Sequence, residues 1–312
     1  MKTNKIIIIL GQTSTGKSDF AVEIAKQING EIISADSRQV YKGMDLGTGK
    51  ITKKEMCGVK HHLLDVISPS KVFYVTDFQK EAFKKIEDIV KKGKVPIICG
   101  GTGFYIDAVV DGIIFPEVPP NKELREKLSI KPASELFEIL KKLDKDRADN
   151  IDANNSVRLI RAIEIVKALG MVPKLKTHTA TNSAGAEFVA VSKYQFLKVG
   201  LTIEGEILKK MIKERLLKRI KKGMVKEVET LNRNGISWKR MNDLGLEYRY
   251  ISLYLQNKIT KDEMIEKLNT EIWHFAKRQK TWFKRDLDTI WINPLEIHEK
   301  ALALKKIKEF LK

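Results

Sequence analysis

Eight consecutive residues, Gly11, Gln12, Thr13, Ser14, Thr15, Gly16, Lys17 and Ser18, carry the pattern Gly-x4-Gly-Lys-Ser. Glycines at those two positions let a short loop curl until its N–H groups point at phosphate oxygens. Lys17 supplies a point charge for an outer phosphate, and the Ser18 hydroxyl can ligand Mg²⁺. The pattern lies between an apolar β-branched run, Ile6 to Leu10, and a segment of helical spacing, Lys17 to Gln27. In that context it reads as a P-loop for a diphosphate or nucleotide, and a Gly-rich turn with a chance lysine is the lesser reading.

Further segments have chemistry-bearing types. Asp36, Ser37, Arg38 and Gln39 follow a second strand, Glu31 to Ala35. That strand end faces the ligand crevice in an open α/β sheet. Asp36 can hold Mg²⁺, cap the next helix or act as a base. A third strand, Val95 to Cys99, leads into Gly100-Gly101-Thr102-Gly103. An NTP hydrolase more often has an Asp at such a strand end, so this one argues against hydrolysis, or is a simple strand-to-helix turn. Arg158 and Arg161, three apart, share a helix face and either grip phosphates or lie solvated.

Arg215, Arg219, Lys222 and Lys226 form a basic stripe on a helix expected over Leu208 to Leu231. Between Trp273 and Arg285, aromatics interleave with cations, a composition that suits RNA contact or a plain core. His61 and His62 point to opposite sides of an extended chain, so they are not expected to bind metal.

The elements that must position these residues alternate between strand and helix as far as about Phe115, with an amphipathic helix over 76–92. The expected fold is α/β, a P-loop NTPase-like parallel sheet flanked by helices. Residues 1–116 and 191–312 would form this core, and 117–190 a helical insertion domain. Within it, 177–186 is rich in Thr, Ser and Ala and reads as a mobile loop. Phe196 to Thr202 reads as another strand, and the chain beyond Thr202 as helical to its end.

The composition is that of a soluble globular protein of 312 residues with a net charge of +18. The charge points to a polyanionic partner or to unspecific surface lysines. Two cysteines, Cys57 and Cys99, make no disulfide framework, and no apolar run suits a signal peptide or membrane span. A cytoplasmic protein is expected, acting as a monomer.

Read together, GQTSTGKS (11–18), SADSRQVYKGMDLGTGK (34–50), HHLLDV (61–66), GGTGFYIDAVVDG (100–112), NSVRLIRAIEI (155–165), NDLGLEYR (242–249) and AKRQKTWFKR (276–285) resemble the bacterial tRNA dimethylallyltransferases, or tRNA isopentenyl transferases. The resemblance implies transfer of a dimethylallyl group from dimethylallyl diphosphate to N6 of the adenine 3′ of the anticodon in tRNA. Diphosphate is released, and Mg²⁺ assists. It implies catalytic roles for Asp36, Thr102 and Arg215, with Arg219 the next choice of arginine. It implies tRNA contacts from Asp36, Ser37, Arg38, Gln39, Val157, Arg158, Leu159, Ile160 and Arg161, and a diphosphate cradle at Gly11 to Ser18 with Ser18 on the metal. Gln12 and Ser14 stand where the family usually has Pro and Ala, and Gly-Leu-Glu at 245–247 replaces a more usual turn. The competing readings are a P-loop small-molecule kinase and a non-catalytic nucleic-acid-binding protein.

Overall fold

The computed structural model describes residues 4–173 and 193–312. These fall into two compact units, one of residues 4–112 and 193–312 and one of residues 113–173. The stretch 177–186 and the expected end of the insertion at 190 lie outside the described residues.

The larger unit is built on one sheet. Its strands are β1 (Asn4–Gly11), β2 (Gly30–Ala35), β3 (His61–His62), β4 (Val95–Gly100), β5 (Tyr194–Leu201) and β6 (Ile290–Ile292), in the order β3-β2-β4-β1-β5-β6. Every pairing is parallel. The sequence of β1 explains its central place. Ile6, Ile7, Ile8 and Ile9 are all fully buried, as an uninterrupted apolar run requires when helices cover both faces. Ile6 and Ile8 pack with Phe78, Ala82 and Ile86 of α3 (Val75–Lys91). Ile7 and Ile9 pack with Phe20 and Ile24 of α1 (Lys17–Gln27) and with Ala303 and Ile307 of α14 (Ile297–Leu311). Successive side chains of a strand alternate faces, so one tetrad serves two cores.

Short helices α2 (Lys53–Met56) and α4 (Gly103–Val110) flank the strand ends. A helical layer follows β5: α9 (Gly205–Lys221), α10 (Met224–Arg233), α11 (Trp238–Leu244), α12 (Leu246–Leu255) and α13 (Lys261–Phe283). Their shared core joins Leu208, Ile212 and Leu216 to Met224, Tyr248, Leu268 and Ile272, and takes in Val40, Tyr41 and Met44 from the segment after β2. That contact brings the 34–50 segment under the basic helices.

Two expectations are corrected. The single helix over Leu208 to Leu231 is two helices, because Gly223 takes φ 103° and breaks the ladder before α10. The chain after Thr202 is not helical throughout, since β6 adds an edge strand beside β5. A two-residue strand, β3, forms at the other edge where periodicity gives no signal, through Ile32↔His61 and Ile33↔His62 pairing.

The second unit holds α5 (Lys122–Ser129), α6 (Ala133–Leu143), α7 (Lys145–Asp149) and α8 (Ser156–Leu169) around Leu128, Leu136, Leu140, Leu159 and Ile163.

Candidate active site

The P-loop leaves the sheet at Gly11, whose φ is 140°. A Cβ there would stand 2.4 Å from the Leu201 carbonyl oxygen of β5, so only glycine allows this exit. Ser14 (φ 64°) and Gly16 (φ 80°) are also left-handed, which curls the loop. The Thr15 hydroxyl donates to the Gln12 carbonyl at 2.8 Å, and the Lys17 ammonium donates to the same oxygen. Gly16 leads into α1 without a side-chain cap. The first N–H groups of that helix therefore point outward, with the positive end of the dipole, toward an anion. Burial pushes the Lys17 pKa down to about 8; the nearby Arg215 adds to this, and Cys99 and Asp36 oppose it.

Asp36 follows β2 at the same edge. Its Oδ1 accepts the N–H groups of Arg38 (2.8 Å) and Gln39 (3.2 Å), which fixes the carboxylate by an Asx turn. Thr102 follows β4. Its N–H donates to the Ala35 carbonyl at 3.2 Å, and its hydroxyl oxygen accepts the Ser37 N–H at 3.0 Å. The two neighbouring strand ends thus place Asp36 and Thr102 beside each other. A Cβ on Gly100 would lie 2.1 Å from the Ala35 carbonyl oxygen, so glycine permits the approach.

Arg215 reaches this edge from α9. It donates to the Gly49 carbonyl at 3.2 Å and makes no ion pair among the described residues. Burial lowers its pKa, Arg219 lowers it further, and Glu247 and Asp36 act against both. Arg219 is engaged differently. Its guanidinium donates to Leu46 O (3.1 Å), Gly47 O (2.9 Å) and Glu247 (2.6 Å). Glu227 of α10 accepts the N–H groups of Asp45, Leu46 and Gly47 at 3.0, 2.6 and 2.9 Å and the Tyr248 hydroxyl at 2.8 Å. Between the two sequence candidates, Arg215 is the arginine in electrostatic reach of Lys17 and Asp36, and Arg219 fastens the 46–47 backbone.

The candidates therefore divide. Gly11 to Ser18, Asp36 to Gln39, Thr102 and Arg215 gather in the larger unit at the carboxyl ends of the strands. Val157, Arg158, Leu159, Ile160 and Arg161 belong to the second unit. There, Val157 and Arg158 are exposed, and the Leu159 side chain is core. Arg161 is tied to Glu164 and donates to the Val118 carbonyl at 2.9 Å. Burial alone would raise the Glu164 pKa, but hydrogen bonds from Arg125, the Asn121 N–H and Arg161 hold it at about 2. Glu227, Glu247 and Gln279 are absent from the sequence candidates. Glu247 and Gln279 do fall inside quoted motifs, NDLGLEYR and AKRQKTWFKR, the signal that could have found them, although the departure at 245–247 argued against a side-chain role for Glu247. Gln279 Oε1 accepts the Thr13 N–H at 2.7 Å.

His62 is buried against Glu31 at 2.7 Å, and among the described residues no group of three or more His, Cys, Asp or Glu is placed to hold a metal.

A parallel sheet with a Gly-Lys-Ser turn, a fixed carboxylate and a buried arginine at one edge defines an α/β protein of P-loop NTPase-like fold, built to meet an anionic ligand. Comparison with known proteins narrows that class. A family model described as IPP transferase matches residues 39–286. The chain is 43% identical over 282 residues to tRNA dimethylallyltransferase 2 of Treponema denticola, covering 89% of this chain and 91% of that one. It is 41% identical to tRNA dimethylallyltransferase of Lachnoclostridium phytofermentans, over 98% and 97% of the two chains. The solved structure of the full-length tRNA isopentenylpyrophosphate transferase from Bacillus halodurans superposes with a TM-score of 0.73 at 32% identity, over 99% and 97% of the chains. The protein belongs to the IPP transferase family.

Proposed function

We propose that this protein transfers a dimethylallyl group from dimethylallyl diphosphate to N6 of the adenine 3′ of the anticodon in tRNA, releasing diphosphate. One observation carries the reading: Lys17, Asp36 and Arg215 converge on one strand edge, where Arg215 and Asp36 both act on Lys17 and Asp36 acts on Arg215. Two cations there suit a departing diphosphate, and a carboxylate within their electrostatic reach suits the incoming amine.

The α1 N-terminus, the P-loop N–H groups, Lys17 and Arg215 would bind the diphosphate and take up charge as its C–O bond breaks. The new bond forms between that carbon and adenine N6. The N6 proton passes to the Asp36 carboxylate, whose orientation the Arg38 and Gln39 N–H groups hold. Thr102, bonded to Ser37, keeps the β4 end against this carboxylate. The adenine must leave its stack to reach the site. In the larger unit Ser37, Arg38 and Gln39 would contact the tRNA, and in the second unit Val157 to Arg161 would be tRNA contacts of their own. The exposed Ser18 hydroxyl in the first turn of α1 fits as one oxygen ligand for Mg²⁺. Bound there, the ion would offset negative charge on the diphosphate. A small-molecule kinase reading is not favoured, since Gly100, Gly101 and Thr102 stand where a carboxylate would organise its metal. No helix among the described residues is long and apolar enough to cross a membrane. The reading takes the protein to work as a monomer in the cytoplasm.

The test is incubation with unmodified tRNA, Mg²⁺ and labelled dimethylallyl diphosphate. Label on the adenine 3′ of the anticodon is expected. Unlabelled tRNA, with turnover of ATP instead, rejects the reading.

A further inference from the structure

Gln279 lies in α13, 6% exposed, and uses both ends of its amide. Oε1 accepts the Thr13 N–H of the P-loop at 2.7 Å, and Nε2 donates to the Gly101 carbonyl, after β4, at 2.9 Å. A Cβ on Gly101 would stand 2.3 Å from Nε2, so glycine is what admits this contact. One turn earlier on the same face, the Ala276 carbonyl accepts from Gln12 Nε2 at 3.2 Å. The chain of bonds continues past Gly101. Thr102 accepts the Ser37 N–H, and Asp36 precedes Ser37. One side chain therefore links the phosphate loop, through Gly101 and Thr102, to the strand end that carries the carboxylate.

We infer that Gln279 is a positioning residue that sets the separation between the diphosphate cradle and the Asp36–Thr102 pair. This rests on the proposed prenyl transfer for its catalytic part and on the P-loop alone for its binding part. The bond also engages the Thr13 N–H, so the cradle's phosphate-facing N–H groups begin after Thr13. Gln12 adds a second tie to α13, one that a proline at this position has no side-chain donor to make.

The experiment compares wild type, Gln279→Met, Gln279→Glu and Gly101→Ala as full chains. It reads inorganic pyrophosphate binding by calorimetry, prenylation kcat and KM, and Tm. Met matches the length of Gln but makes neither bond. Gln279→Met is expected to lower kcat by roughly 10²-fold through loss of alignment, while KM for tRNA stays within about twofold. Pyrophosphate binding weakens, and weakens most in Gln279→Glu, which adds negative charge beside the cradle. Gly101→Ala displaces the same amide from the other side and is expected to lower kcat in parallel. A lowered Tm with kcat and pyrophosphate affinity at wild-type values in Gln279→Met or Gly101→Ala would reduce Gln279 to a structural staple and overturn the inference. Wild type that leaves tRNA unlabelled, while Gln279→Met weakens pyrophosphate binding, rejects the prenyl reading and keeps the cradle role.

Discussion

Opposite ends of one sheet treat their charges in opposite ways. Near the start of β2, Glu31 is buried and paired with His62 at 2.7 Å, Lys94 at 2.8 Å and Lys92 at 3.8 Å. Burial alone would raise its pKa, but hydrogen bonds from Lys94 and His62 hold it at about 2. At the far end, Asp36, Lys17 and Arg215 influence one another without an ion pair among the described residues; their bonds go to backbone groups. Saturated charges stabilise a fold. Charges oriented by the backbone but not neutralised by a partner keep their capacity for a ligand, at some cost in desolvation.

The comparison can be broken from either end. The largest effect is expected at Asp36. Asp36→Ala should lower the prenylation rate by about 10²–10⁴-fold with tRNA still bound, and an unchanged rate in a single-turnover assay would remove Asp36 from proton transfer. Arg215→Ala should follow at roughly 10²–10³-fold in kcat, with diphosphate release as the readout. Arg219→Lys should instead loosen the 46–47 backbone and lower Tm, because one compact ammonium does not reproduce the planar fork by which the guanidinium spans two carbonyls and Glu247. If Arg219→Lys loses more kcat than Arg215→Ala, the division between the two arginines is reversed.

Glu31→Gln should cost about 2 kcal/mol in urea unfolding and leave kcat unchanged, since its partners are at the end of the sheet away from the site. A fall in kcat would mean that the two ends are coupled. The same carboxylate has an acid signature. Its folded pKa is depressed, so its contribution is fully present above the ordinary value of 4.5 and is lost as pH falls through about 2. Acid unfolding of Glu31→Gln, compared with wild type, should converge over that window.

The smallest effect is at Lys17, where pyrophosphate affinity should decline as pH rises through about 8 and the ammonium becomes neutral. Affinity that is flat across that range in calorimetry would show that the backbone N–H groups, and not Lys17, carry the binding.

Sequence alone determined the parts whose causes are local. The Ile6 to Leu10 run, the P-loop turn and the boundaries of α1 follow from neighbouring residues. The carboxyl-edge position of Asp36 and Thr102 follows from each ending a strand. Tertiary structure alone decided which groups meet. Gln279 reaches Thr13 across 266 positions, and Glu227 reaches Gly47 across 180. β3 and β6 are too short to show a period and exist because β2 and β5 offer them a ladder. Gly223 breaks the basic stripe, which turns Glu227 onto the 45–47 backbone while Arg215 stays on α9. A hydrophobic run or a glycine turn is set by contacts a few residues apart. Whether a buried charge is neutralised or left for a ligand depends on partners that only the folded chain brings within hydrogen-bond range.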